Sequence, residues 1–238
     1  RMDQVDKEKF QQNRARINPL YRQFQQEGKI KNIREDVLIF DTLHDGILHF
    51  NSTRIVRRNP TDSFDLTLAE IEAREQVYEL WQFLRDNIPG FENSRVLSTA
   101  IQIGTRESRM IDGEYCLTQE DLKNCVHFPD GIAAGNYDID IHNPEGSGTS
   151  HYFFAPGTWY TIPYRCLLPV GTKNLLVAGR CISSTHEAQA SYRIMPIVCC
   201  IGEAAGTAAG VACRAHTSLR GVDVEQVRAI LKAGGAPI

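Results

Sequence analysis

The chain has 238 residues, with 26 lysines and arginines against 29 aspartates and glutamates, and 42% of it is hydrophobic. That length buries a substantial core in one large or two small domains, and the slight acidity argues against nucleic acid as a partner, which calls for a basic patch. The seven cysteines form no C-x-x-C pair, so zinc-ribbon and thioredoxin chemistry lack their signature, and an odd total suits a reducing, cytoplasmic setting.

The polar start reads as an amphipathic helix from Lys7 to Lys29, closed by Gly28, and not as a signal peptide. Asp36–Phe40 and Gly46–Phe50 are apolar runs around an Asp45-Gly46 turn signal and predict a hairpin, with a further short strand at Thr53–Val56. Thr61–Phe91 then predicts a long helix. Thr67 and Glu70 have capping-box spacing, Ile71, Val77, Tyr78, Leu80, Trp81 and Leu84 recur near the helical period, and Pro89-Gly90 stops the run. Ser98–Gly104 reads as a strand, Asp112-Gly113 as a turn, and Thr118 with Asp121 as the opening of a short helix.

Gly131–Trp159 differs in kind. It is rich in Gly, Asp, His and Tyr, and it predicts loops and short strands that carry binding groups on a rigid frame. In a strand, Asp138, Asp140 and His142 share one face, which suits chelation, but no further pattern supports a metal site. After it, Asn174–Gly179 ("NLLVAG") is the fully apolar type of strand buried in a parallel sheet, and a helix starts near Pro196. Val222–Gly235 adds one more short amphipathic helix.

The run from Pro196 to Cys213 is apolar enough to raise a membrane-spanning reading. Glu203 sits near its middle, where an ionised carboxylate costs about 2.5–3.5 kcal/mol on insertion scales, so a buried helix is expected and no membrane partner. Gly202, Gly206 and Gly210 recur at spacing four, among Ala204, Ala205, Ala208 and Ala209. Each interior glycine costs a helix roughly 1 kcal/mol relative to alanine, so the stripe calls for a close approach. Tight helix–sheet packing and a flat cofactor against the backbone both satisfy that demand.

The succession "NLLVAGRCIS", "AQASYRIMP" and "GEAAGTAAGVA" resembles the C-terminal signature of FAD-dependent oxidoreductases with a glutathione-reductase-like two-domain fold. "IQIGTRESRMIDGEYCLTQED" (Ile101–Asp121) and "IPYRCLLP" (Ile162–Pro169) resemble one bacterial family in this group, so the likeness covers most of the chain from about Thr61 onward. It implies an α+β to α/β architecture. Residues 1–170 would be mainly a substrate domain of mixed β-sheet and helices, and residues 171–238 the last strand and helix of a Rossmann-like FAD-binding domain.

The resemblance also implies roles. Ala178, Gly179, Arg180 and Met195, with Gly202, Ala204, Ala205 and Gly206 on the helix, would lie against a non-covalently bound FAD. Arg106 would place a cation beside the flavin, with an Arg–Glu structural pair to Glu107 as the plain alternative. Tyr164 and Arg165 combine a proton donor with a carboxylate-binding fork, His186 is a candidate base for hydride abstraction, and His151 a candidate substrate contact.

Such enzymes hold the FAD pyrophosphate with a G-x-G-x-x-G turn, and none occurs here; "GSGTSH" (Gly146–His151) lacks the third glycine. The expectation is a C-terminal portion that retains FAD poorly alone, completed by a missing N-terminal segment, by a partner chain that supplies it, or by a homodimer that covers exposed strand edges. A non-catalytic binding module, including a carbohydrate-binding one, and a carbohydrate lyase built on Tyr164, Arg165 and His186 are the competing classes.

Overall fold

The computed structural model describes residues 1–142 and 148–238, the side chain of His142 excepted. Two compact units result, Arg1–Thr105 and Arg106–His142 with Thr149–Ile238. The 170/171 position, where the sequence divides substrate from cofactor residues, falls inside the second unit.

The first unit is built from β1 (Met2–Asp3), α1 (Lys7–Gln26), β2 (Ile39–Asp41), β3 (Leu48–Phe50), α2 (Ser63–Asn87) and β4 (Arg95–Val96). The strands form one antiparallel sheet in the order β2-β3-β1-β4, and the expected hairpin is present with Phe40 opposite His49. Asp6 caps α1 by accepting from the Lys9 amide at 3.0 Å. Phe10, Ile17 and Tyr21 from α1 meet Leu80, Phe83 and Leu84 from α2 in the core, with Phe10 edge-on to Phe91 at 5.6 Å.

Four expectations for this unit need correction. Helix α2 starts a turn before the Thr67–Glu70 spacing, because Asp62 accepts from both the Phe64 and Asp65 amides at 2.9 Å. Thr67 is therefore already helical and donates back to Ser63 O. The buried face of α2 runs through Ala69, Ala73, Gln76 and Leu80, whereas Ile71 and Tyr78 are exposed. Ser98–Gly104 forms no strand: side chains of α2 take its backbone groups, Glu70 accepting from Ile103 N at 2.6 Å and Arg74 donating to Ile101 O at 3.3 Å. Thr53–Val56 is also irregular. Replacing Asp62 by alanine is expected to lower stability by about 1 kcal/mol in urea titration, since two first-turn amides lose their acceptor.

The second unit comprises α3 (Gln119–Lys123), β5 (Gly131–Gly135), β6 (Ile139–His142), β7 (Thr149–Tyr152), β8 (Tyr160–Pro163), α4 (His186–Tyr192), α5 (Met195–Ala215) and α6 (Val224–Ala233), with short 3-10 turns at Tyr164–Leu167 and Leu219–Gly221. β5 pairs with β8 and β6 with β7, both antiparallel. The Thr118–Asp121 capping box forms as the sequence predicts. Helix α5 packs on β5 with Ile201, Ala204 and Ala208 in the core. Gly135 makes this approach possible, because a Cβ there would stand 2.6 Å from the Tyr160 hydroxyl and 2.8 Å from Ile197 Cδ1.

The close-contact glycine is thus on the strand and not on the helix. A Cβ at Gly202, Gly206 or Gly210 would meet nothing within 4 Å. Asn174–Gly179 is a second correction, for it is irregular and Leu175 is 48% exposed. Val177 N donates to Leu167 O at 2.9 Å; a parallel strand needs flanking strands, and the described residues put none beside it. Helix α5 has the length and mean hydropathy (1.5) of a membrane span, yet its inner face belongs to this unit's core. The fold is α+β, with small sheets and segregated helices.

Candidate functional site

Polar side chains converge where the loop at Arg106–Glu107, the β6–β7 hairpin and α4 meet. Thr185 starts α4 by accepting from the Ala188 amide at 3.3 Å, which puts His186 at the first helical position. His186 Nδ1 faces Oε2 of Glu107 in a short hydrogen bond. A carboxylate only accepts, so Nδ1 carries the proton and the Nε2 lone pair is left as the basic atom. One turn on, the buried Gln189 donates from Nε2 to the Arg106 carbonyl at 2.8 Å and fixes that loop to the helix.

The hairpin contributes a second imidazole. Strand pairing sets His151 opposite Asp140. Its Nδ1 donates to Asp138 Oδ2 at 2.7 Å, while Nε2 lies 3.7 Å from Asp140 Oδ1. Asp140 is 7% exposed and is shared by cations: Arg193 Nη2 stands 3.1 Å and Arg106 Nη1 3.7 Å from its Oδ2. Burial of a carboxylate is tolerable only with such partners. Burial, then Asp138 and Asp140, raise the neighbouring Tyr137 phenol above its ordinary value.

Arg106, His151 and His186 are therefore brought into one linked network. Tyr164 and Arg165 are held elsewhere. Tyr164 is 2% exposed, its hydroxyl donates to Leu219 O at 2.8 Å, and burial pushes its phenol up to about 12. Arg165 turns its guanidinium to Asp130 (Nε to Oδ2 2.9 Å) and stacks 4.9 Å over Tyr115. The fork expected to grip a substrate carboxylate already grips a protein one.

The expected cofactor residues form a third group. Gly179 adopts φ +100° with open space around it, and Tyr192 on α4 donates to Arg180 O at 3.3 Å, tethering the segment that follows. Met195 is 82% exposed at the start of α5, where no side chain caps the helix amides. Gly202 and Gly206 are exposed, Ala205 and Ala178 half-buried, but Ala204 is fully buried in the unit's own core and turns away from the open face. A groove of about 680 Å³ runs between Leu175–Leu176 and Ala205, Ala209 and Ala212.

A family model described as FAD dependent oxidoreductase matches residues 1–231. The chain belongs to that family. No curated protein and no solved structure matches it. The surroundings of α5 fit the family's cofactor: a helix whose first amides lack a side-chain cap, followed by a face with room for a flat group where a Cβ would otherwise stand. In this FAD-dependent oxidoreductase the polar network is assembled from residues the sequence had read separately. The alternation of Asp138 and Asp140 signals a shared acidic face, but the face serves His151, Arg106 and Arg193. No cluster able to hold a metal occurs among the described residues, and the His142 part of that expectation lies outside them. Glu107 pairs with His186 and not with its neighbour Arg106. Gln189 and Arg193 lie within the "AQASYRIMP" block, but their contacts with Arg106 and Asp140 emerge only from the fold.

Proposed function

We propose that the protein oxidises a small organic substrate by hydride transfer to a non-covalently held FAD, with Arg106, Glu107 and His186 at the reacting end. The observation that carries this reading is the His186–Glu107 pair beside Arg106 in a chain of this family. FAD, when bound, supplies the two-electron acceptor at flavin N5. The chain's own part is the proton: His186 Nε2 takes it from the substrate hydroxyl or amine, and Glu107 steadies the imidazolium that results. Asp140 and Gln189 hold Arg106 as a fixed cation for negative charge that develops during transfer.

The pyrophosphate end of FAD calls for a glycine-rich strand–turn–helix segment absent from these 238 residues, and that segment or a partner chain supplying it is the proposed completion of the site. Flavin absorbance that bleaches anaerobically on adding substrate tests the reading, and protein purified with its completing segment but without flavin overturns it.

The glycine face gives a sharper test. Gly206→Ala is expected to raise the chain's own stability by about 0.5–1 kcal/mol, because helix propensity improves and the new methyl meets no atom within 4 Å. With a cofactor against that face, the same methyl overpacks the contact and weakens FAD binding about tenfold. Thermal melts with and without FAD separate the two effects.

A further inference from the structure

We propose that the charged face of the β6–β7 hairpin is the subsite for the ring of a neutral polyhydroxylated substrate, a sugar or cyclic polyol. The inference rests on the oxidoreductase reading and names the substrate class of that same site.

Strand period sets the composition of this face. Asp138, Asp140, His151 and Phe153 fall on one side of the hairpin, while Tyr152 turns to the other, edge-on to Phe154 at 5.5 Å. Phe153 is 74% exposed and lies parallel to the His151 imidazole, centroids 5.6 Å apart and planes 5° apart. A large apolar ring flat on the polar side of a hairpin, continuous with an imidazole, presents a π surface bordered by hydrogen-bonding groups. That pairing matches a sugar ring, whose axial C–H bonds pack on an aromatic face while its hydroxyls reach outward. Imidazole, carboxylate and guanidinium edges are all within the same network, so hydroxyls meet both acceptors and donors.

Charge decides against the rival classes. The network holds two guanidiniums, Arg106 and Arg193, against three carboxylates, Glu107, Asp138 and Asp140. Among the described residues both guanidiniums already face Asp140, and the fork expected to grip a carboxylate, Arg165, is turned to Asp130. An apolar substrate would cover the remaining donor and acceptor edges without hydrogen-bonding to them. A neutral polyol satisfies them without adding charge.

The test is saturation-transfer NMR on the purified protein, with methyl β-D-glucoside, galactoside, mannoside and xyloside and myo-inositol as probes, and succinate as the anionic comparison. Saturation on ring protons of at least one neutral probe is expected, with a Kd raised about tenfold in Phe153→Ala and restored in Phe153→Trp, circular dichroism confirming that both variants fold. Binding of none of the neutral probes, preference for succinate, or an unchanged Kd in Phe153→Ala overturns the subsite. Failure of the oxidoreductase reading is seen separately, as glycoside binding by a protein that carries no flavin absorbance.

Discussion

Replacing His186 by alanine is expected to slow anaerobic, substrate-driven flavin reduction by about 10²–10³-fold while leaving flavin content unchanged. The size follows from the role assigned, since a positioned base contributes in that range. His151, the other imidazole of the network, has its Nδ1 at Asp138 and its Nε2 toward the buried Asp140. Glu107→Gln is a milder change. The amide oxygen still accepts from His186 Nδ1, so the tautomer is kept and only the charge opposite the imidazolium is lost, for a loss of about tenfold. Added imidazole should restore part of the His186→Ala rate, which a purely structural histidine would not allow. Full activity in His186→Ala removes it from the chemistry and leaves Arg106 and the hairpin face as the remaining candidates.

How much of this was legible beforehand depends on how local the signal was. The cap of α3, the start of α5 at Met195-Pro196 and the Asp36–Phe50 hairpin are read from a few adjacent residues, and each is present. Two of the three failed strands share a cause. Ser98–Gly104 and Asn174–Gly179 carry apolar runs that suit a ladder, but a strand exists only beside another strand, and that condition is not written in the segment itself. In the first, Glu70 and Arg74 take the backbone groups instead. The site was half legible for the same reason. Arg106, His151 and His186 stand out by residue type, whereas their pairing through Asp140, Glu107 and Gln189 joins positions 34 to 83 residues apart or sits across a hairpin register. The helix glycines are the instructive case. Their spacing calls for a close approach that the described residues do not supply, which is why the cofactor is the proposed occupant.

Gly90 answers the same question in the opposite sense. It has φ +101°, and a Cβ would stand 2.7 Å from Asp6 O and 2.8 Å from Phe10 N, both backbone atoms. Those two atoms are the first hydrogen bond of α1, Phe10 N to Asp6 O at 2.9 Å, while Asp6 N in turn donates to Gly90 O at 2.9 Å. No flexible side chain can yield, so the methyl must push the start of α1 off the loop and loosen the Phe10–Phe91 pair, both rings nearly inaccessible. Positive-φ strain of about 1–2 kcal/mol adds to overpacking of about 1–3 kcal/mol, so Gly90→Ala is expected to lower the stability of the first unit by about 3 kcal/mol. Trp81, whose indole donates to Ser94 O at 2.9 Å in that unit, reports the transition in urea once Trp159 is replaced by phenylalanine. Gly28→Ala is the control. It has φ +70° but nothing within 4 Å, so it carries strain alone and should cost only about 1–2 kcal/mol. Equal losses at the two positions would mean that the loop at Gly90 relaxes freely and that the junction between Asp6 and Gly90 does not hold α1 in place.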